Sequence, residues 1–184
     1  MSTDTLVRMC APTLAGMKTG SLFSQEFADK EELHLSLEKY NQILEPKGLK
    51  MISLGRKRKR YLLYVYRPYR LWKDLNRDDS RSLLHELGYC TENCEQCLRK
   101  LKDKIENEND FPHEVGLFLG YPFCDVKGFI EHRECLHVGL WKVFDHKEET
   151  CALFEKYQRC NRIYDRCFAQ GTSLKRLIVE DIHH

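Results

Sequence analysis

The stretch LKMISLGRKRKRYLLYVYR, residues 49–67, decides the fold. Two runs rich in apolar and aromatic residues, LKMISLG and YLLYVYR, lie on either side of a basic turn that begins with glycine. Runs of this kind, separated by a short polar segment, are typical of two antiparallel strands joined in a hairpin. We therefore predict a β-hairpin over residues 49–66.

Helical periodicity is found on both sides of this hairpin. In residues 30–45, apolar side chains recur every three or four positions, and Pro46 with Gly48 ends the pattern. A long run of the same kind, KEETCALFEKYQRCNRIYDRCF, stops before Gly171. Shorter helices are predicted over SRSLLHELGY (residues 80–89) and TENCEQCLRKLKDKIE (residues 91–106).

The remaining segments complete one domain. Residues 136–144 alternate apolar and polar side chains, which predicts a strand that joins the hairpin in a small antiparallel sheet. Residues 111–120 suit a short helix opened by Pro112 as well as a strand, and the sequence leaves both open. DVKGFIEH is predicted as a helix that Asp125 caps. No linker or repeat divides the chain, so we predict a single α+β domain over residues 1–184, with several helices packed on the sheet.

The composition of the 184-residue chain excludes some classes of protein. Its net charge of +2 is too small to indicate a polyanion partner for the whole surface. No run of about 18 apolar residues predicts a membrane helix. The N-terminus lacks a basic start followed by a long apolar stretch, so we expect no signal peptide, no membrane partner and a cytoplasmic protein. The final His183 and His184 match the remnant of a purification tag and carry no argument.

Nine cysteines in a reducing compartment are expected to be core thiols, metal ligands or a reactive thiol rather than disulfides. The spacing in CTENCEQC matches a loop that holds an iron–sulfur cluster, but two of its cysteines share the apolar face of a predicted helix, where cysteine acts as a small hydrophobe. A cysteine and histidine group in residues 124–137 fits no standard zinc motif. We predict no metal ligand and leave the cofactor open. A metal- or haem-linked protein of anaerobic iron handling remains an alternative.

Cys10 is the candidate for a reactive thiol. It precedes a proline and a run of small residues, and a cysteine at a helix N-terminus has a thiolate stabilised by the helix dipole. A distant histidine, for which His113 is the candidate, would then act as the base, with Asp125 or Glu114 orienting its ring. This arrangement indicates a thiol-dependent hydrolase or acyl transferase that acts on a small molecule or an acyl substrate. The alternative is a buried thiol in a capped turn.

The hairpin itself suggests a different function. Tyrosines and a tryptophan interleave with its basic residues, and basic surfaces that carry aromatic side chains bind nucleic acids. Arg67 and Arg70 flank Pro68 and are candidates for holding a small anion, such as a phosphate or a carboxylate. The alternative is a solvated hairpin tip that protects a strand edge from aggregation. Nucleic-acid contacts are predicted for Arg56, Lys57, Arg58, Lys59 and Arg60.

Three blocks together resemble a bacterial family of unknown function, DUF3793. They are CAPTLAGMKTGSLF near the start, FPHEVGLFLGYPFCDVKGFI in the middle, and GLWKVF followed by LFEKYQRC. The resemblance covers roughly residues 5–178 and implies a fold-sized unit and a set of residues, not a reaction. The residues that it carries over are Cys10, Thr13, Lys18, His113, Glu114, Gly116, Tyr121, Asp125, Gly128, Trp141 and Lys142.

The resemblance places more polar residues in these blocks than packing requires. Polar side chains are costly to bury without partners, so we expect them to converge on one site. In that site Cys10, His113, and Asp125 or Glu114 are the candidate catalytic residues. The candidate substrate-binding or anion-binding residues are Lys18, Arg67, Arg70, Tyr121 and Lys142.

Overall fold

The predicted hairpin forms the centre of the structure, a computed structural model that describes residues 1–108 and 110–181. Strands β2 (Lys50–Lys57) and β3 (Arg60–Tyr66) pair antiparallel. A third strand, β1 (Gly20–Glu26), pairs with the other edge of β3, so that β3 is central. His183 and His184 lie outside the described residues. The predicted α+β class is confirmed.

Helices cover both faces of this sheet. The predicted helices over residues 30–45, 80–89, 91–106 and 147–168 are confirmed, with small differences at their ends. A one-turn 3₁₀ helix, Glu45–Lys47, follows α2. The helices are α1 (Thr3–Leu14), α2 (Lys30–Leu44), α3 (Pro68–Leu75), α4 (Asp78–Glu86), α5 (Cys94–Asn107), α6 (Val115–Phe118), α7 (Phe123–Ile130), α8 (Lys147–Ala169) and α9 (Leu174–Leu177).

Strand β3 divides the core into two parts because its side chains alternate between the faces of the sheet. Leu63 and Val65 lie in a core formed with α1, α2 and α9. Tyr64 and Tyr66 lie in a second core formed with helices α3 to α7. Both faces of β3 are therefore apolar. The sheet thus lies between two helical layers, one that contains α1, α2 and α9 and one that contains α3 to α7.

The predicted strand over 136–144 is wrong in two respects. The segment forms two short strands, β4 (His137–Val138) and β5 (Lys142–Val143), which pair only with each other. The chain reverses between them, where the Gly139 amide donates to the Trp141 carbonyl at 3.0 Å. Gly139 also lies so close to Phe154 that a Cβ would be 2.2 Å from that ring, so only glycine fits at this reversal.

The segment before these strands is helical. The sequence left a helix and a strand open for residues 111–120, and the segment forms the short helix α6, which ends at Phe118 and is followed by Gly120 with a φ of 74°. The predicted N-cap of the next helix is wrong, because α7 begins at Phe123 and Asp125 lies inside its first turn. Asp125 is buried and has other hydrogen-bond partners, described below. Within the described residues, no helix is long and apolar enough to cross a membrane.

The Arg67 side chain joins three separate parts of the chain. Its guanidinium is fully buried and donates from Nε to the Thr13 carbonyl at 2.8 Å, and from Nη2 to the carbonyls of Leu14 at 2.9 Å and Val179 at 2.7 Å. Its Nη1 lies 2.8 Å from Asp181 Oδ1 in an ion pair. Arg67, which the sequence suggested for an external anion, thus binds the last carbonyls of α1 and a carboxylate of the C-terminal segment.

Replacing Arg67 with leucine should lower the free energy of unfolding by about 3–5 kcal/mol, because it leaves buried carbonyls without a donor and removes the closer of two cations from Asp181. Arg70→Leu is the matched control. Arg70 also faces Asp181, with its Nε 3.5 Å from Oδ1, but its side chain is 39% exposed. Its loss should cost less than about 1 kcal/mol. Urea denaturation measures both values, and equal losses would show that Arg67 has no special structural role.

Candidate functional site

A cavity of about 440 Å³ lies between α6, α7 and the β4–β5 hairpin. We call it the aromatic cavity. Its lining is mainly apolar and includes Phe111, Val138 and Leu140 at the mouth. Six of the residues carried over from the family resemblance also line it. They are His113, Gly116, Tyr121, Asp125, Trp141 and Lys142.

Stacked aromatic rings form one wall of the aromatic cavity. The Tyr121 and Trp141 rings lie 4.2 Å apart between centroids at an interplanar angle of 20°. Phe154 packs edge-on against Trp141, with centroids 4.5 Å apart. Burial raises the pKa of Tyr121, so its hydroxyl stays neutral at physiological pH. A flat ligand would meet a rigid aromatic wall here.

The Asp125 carboxylate fixes this wall. Its Oδ2 accepts a hydrogen bond from Trp141 Nε1 at 2.8 Å, and its Oδ1 accepts one from the Phe144 amide at 2.7 Å. Both oxygens therefore hold the β4–β5 hairpin against α7. Gly128 permits the close packing on the same helix, since a Cβ there would lie 2.5 Å from the Phe144 ring. Asp125 positions Trp141, and no hydrogen bond joins it to His113 in the described part of the chain.

Two basic side chains lie at the mouth of the aromatic cavity. The His113 ring packs edge-on against Phe129 with centroids 4.7 Å apart, and Lys142 Nζ lies 5.2 Å from the centroid of the same ring. Both side chains are exposed and line the cavity. A polar or anionic group of a ligand at the mouth can thus be contacted by an imidazole and by an ammonium group.

The Glu114 side chain does not face the aromatic cavity as that of its neighbour His113 does. Its Oε1 accepts hydrogen bonds from Tyr89 at 2.8 Å and from Lys104 Nζ at 2.7 Å, and the residue is buried. Burial alone would raise the pKa of Glu114, but the hydrogen bonds from Lys104 and Tyr89 outweigh it and lower the pKa. Glu114 therefore ties the segment before α6 to α5, and it is not among the residues that line the aromatic cavity.

Cys10 lies inside α1 rather than at its start. The helix begins at Thr3 with Ser2 as its N-cap, so the expected stabilisation of a thiolate by the helix N-terminus is absent. The thiol is fully buried in the core on the α1 side of the sheet. Burial raises the pKa of Cys10 to about 12, opposite to the shift that activates a nucleophile. Cys10 is not among the residues that line the aromatic cavity with His113.

Lys18 contacts the aromatic wall without lining the cavity. Its Nζ lies 5.1 Å from the centroid of the Tyr121 ring, within the range of a cation–π interaction. Burial lowers the pKa of Lys18 to about 8. Lys18 supports Tyr121 and does not meet the other candidate anion-binding residues at the cavity mouth.

The basic tip of the hairpin, Arg56–Arg60, is exposed, but the tyrosines that alternate along β3 are not. Tyr61, Tyr64 and Tyr66 are buried in the two cores. The basic tip and the tyrosines of β3 thus do not share one surface, as base stacking on the hairpin would require, and the exposed aromatic residues that follow, Tyr69 and Trp72, lie on α3. The contacts with nucleic acid stay a prediction. Binding at the hairpin would depend on the exposed cations alone, without stacking of bases on its tyrosines.

The cysteine clusters have ordinary structural surroundings. Cys97 is buried, and its thiol donates to the Cys90 carbonyl at 3.3 Å. Cys94 packs against the same core. Across residues 1–108 and 110–181, no group of three or more histidine, cysteine or acidic side chains is placed to hold a metal ion.

Several residues of the site gave no signal in the sequence. Val138, Leu140 and Phe111 are exposed at 64%, 48% and 37% of their surface, and they form the apolar mouth of the cavity. A second cavity of about 440 Å³ shares Tyr121 with the first and is more polar. Asp74 lines it and accepts a hydrogen bond from Thr19 Oγ1 at 2.5 Å. Because an apolar residue in a sequence predicts burial, the exposed positions of Phe111, Val138 and Leu140 at the mouth of the first cavity could not be recognised before the structure was known.

A family model described as a protein of unknown function (DUF3793) matches residues 6–178, nearly the whole chain. The matched range contains every residue that lines the aromatic cavity. The match confirms the family resemblance that the three sequence blocks indicated. No curated protein and no solved structure matches the chain.

Asp125→Asn should loosen the aromatic wall. An amide NH₂ group would face either the Trp141 or the Phe144 donor, which should cost roughly 1–3 kcal/mol of unfolding free energy. In a Trp72→Phe background, the fluorescence of Trp141 should shift to longer wavelength as the ring becomes more exposed. Asp145→Asn, at an exposed position, is the control and should change neither value. Unchanged Trp141 emission in Asp125→Asn would refute the positioning role of Asp125.

The native protein should protect Cys10 from alkylation. With iodoacetamide at neutral pH, we expect the exposed Cys90 to be labelled first and Cys10 last, because Cys10 is inaccessible and protonated. Unfolding in urea should abolish the difference, which peptide mass spectrometry of quenched samples measures. Fast labelling of Cys10 in the native protein would instead restore the hypothesis of a thiol-dependent enzyme.

Proposed function

Because the chain belongs to the DUF3793 family, for which no activity is described, we propose its function from the aromatic cavity. The protein is a binding module for a small organic molecule with a flat, apolar portion. A volume of about 440 Å³ falls within the range of small-molecule sites. Apolar and aromatic walls with a few polar groups at the mouth are the usual composition of such sites.

The observation that carries this proposal is the exposed apolar mouth. Phe111, Val138 and Leu140 surround the opening of a cavity that is itself lined by aromatic rings. Apolar side chains grouped in this way around a concave surface mark a binding site, since bound ligand removes their surface from water. His113 and Lys142 at the same opening supply the polar contacts that orient a ligand.

The other functions predicted from the sequence have less support. A thiol-dependent hydrolase or acyl transferase stays a prediction, and the burial of Cys10 away from His113 does not favour it. A role in anaerobic iron handling also stays a prediction, which metal analysis after anaerobic purification tests directly. We retain the cytoplasmic location as part of the proposal, since all nine cysteines are free thiols, as a reducing compartment leaves them.

The proposal is tested with 2-naphthol, an uncharged flat molecule. Isothermal titration calorimetry should show binding to the wild-type protein at one site. Leu140→Glu places a carboxylate at the apolar mouth and should weaken binding by at least about tenfold, because the charge must be desolvated when the ligand binds.

Leu35→Glu is the matched control. Leu35 is an exposed leucine of α2 that is not part of the cavity lining. The same substitution there should leave the affinity for 2-naphthol unchanged. Both variants should have the same midpoint of urea unfolding as the wild-type protein. Absence of binding to the wild-type protein, or equal effects of the two substitutions, would refute the aromatic cavity as a ligand site.

A further inference from the structure

The basic tip of the central hairpin adjoins the mouth of the aromatic cavity. Lys57 Nζ lies 5.7 Å from the centroid of the Phe111 ring, and Phe111 lines the cavity. The most basic segment of the chain is thus placed next to the site by the fold, although Lys57 and Phe111 are far apart in the sequence. The apolar mouth therefore has cations on two sides, with Lys142 at Phe129 and the basic tip at Phe111.

The cations of the tip are only partly neutralised by the protein. Arg60 pairs with Glu26 at 3.3 Å and donates to the Ser24 carbonyl at 2.7 Å. Arg56 lies over the Tyr61 ring. Within the described residues, no carboxylate forms an ion pair with Lys57, Arg58 or Lys59.

Acidic side chains also lie near the tip, and Asp110 directly precedes Phe111, but in the described part of the chain none forms an ion pair with these three cations. Glu106 of α5 lies against Gly55 at the base of the tip, beside the backbone rather than in an ion pair with the cations. Adjacent like charges raise the local positive potential and attract anions. Arg58 carries a planar fork of donors, and Lys57 and Lys59 carry compact charges, which together suit a group with several anionic oxygens.

We propose that the ligand is a soluble phosphate ester of an aromatic or acyl group. Its apolar part enters the aromatic cavity and its phosphate meets Lys57, Arg58 and Lys59 at the mouth. This inference rests on the proposed ligand-binding function and adds the chemical class of the ligand. A single nucleotide-like or acyl phosphate molecule fits these features better than a nucleic-acid strand, because the tyrosines of the hairpin are buried and offer no stacking surface.

The test compares 2-naphthyl phosphate with 2-naphthol, which share the same ring. The wild-type protein should bind the phosphate ester at least about tenfold more tightly. Replacing Lys57, Arg58 and Lys59 together with glutamine should abolish this difference and leave the affinity for 2-naphthol unchanged. Raising the salt concentration should weaken binding of the phosphate ester alone, since salt screens exposed charges.

The control removes three exposed cations elsewhere, with Arg162→Gln, Lys175→Gln and Arg176→Gln on α8 and α9. This variant has the same net charge as the tip variant and should bind both compounds like the wild type. Equal wild-type affinity for the two compounds, or equal effects of the two triple variants, would overturn the inference while the binding of 2-naphthol still supports the aromatic cavity. Failure to bind either compound would refute the proposed function itself.

A lipid headgroup is the other source of a phosphate at this surface. Sedimentation with phosphatidylglycerol vesicles distinguishes it from a soluble ester. If the protein sediments with vesicles through Lys57, Arg58 and Lys59 but does not bind 2-naphthyl phosphate, the inference is overturned. Binding of 2-naphthyl phosphate without sedimentation supports it.

Discussion

The buried carboxylate of Asp125 determines the shape of the candidate site. It accepts one hydrogen bond from the Trp141 side chain and one from the Phe144 backbone, so that a single residue of α7 holds the two-stranded hairpin in place. Within residues 1–108 and 110–181, no other side-chain hydrogen bond joins α7 to the β4–β5 hairpin. The stack of Trp141 on Tyr121, and with it one wall of the aromatic cavity, depends on these two hydrogen bonds. Asp125 acts as a structural residue within the proposed ligand site.

A second constraint comes from β3, which is apolar on both faces. Tyr64 and Tyr66 pack in one core, while Leu63 and Val65 pack in the other. A strand buried in this way must be central, and it needs a second neighbour, which β1 supplies. The same burial removes the tyrosines from the surface and leaves the basic tip as a purely cationic feature. The fold then places that tip beside Phe111 at the cavity mouth.

Local patterns predicted much of this structure. The hairpin and the helices α2, α5 and α8 follow from periodicity and from turn residues, which are properties of neighbouring residues. The partner of β3 did not follow, because strand pairing joins segments that are distant in the sequence and β1 carries no signal for its partner. The segment 136–144 alternates like a strand, but the chain reverses at Gly139, where the Phe154 ring leaves no room for a side chain.

The site was predictable only in part and for a similar reason. The family resemblance selected His113, Tyr121, Asp125, Trp141 and Lys142, and the fold brings these five to one cavity. The same resemblance selected Cys10 and Glu114, which packing explains, since one is a core thiol and the other pairs with Lys104. A set of shared polar residues therefore does not distinguish those that contact a ligand from those that hold the fold.

The aromatic cavity is proposed to hold the apolar part of a ligand. Chemical-shift mapping of ¹³C-labelled methyl groups during titration with 2-naphthyl phosphate tests it most directly. We expect the largest shifts at the methyl groups of Val115, Val126, Val138 and Leu140, which line the cavity, and none at Leu35 of α2. Shifts spread evenly over the surface, or confined to residues outside the cavity, would contradict the account.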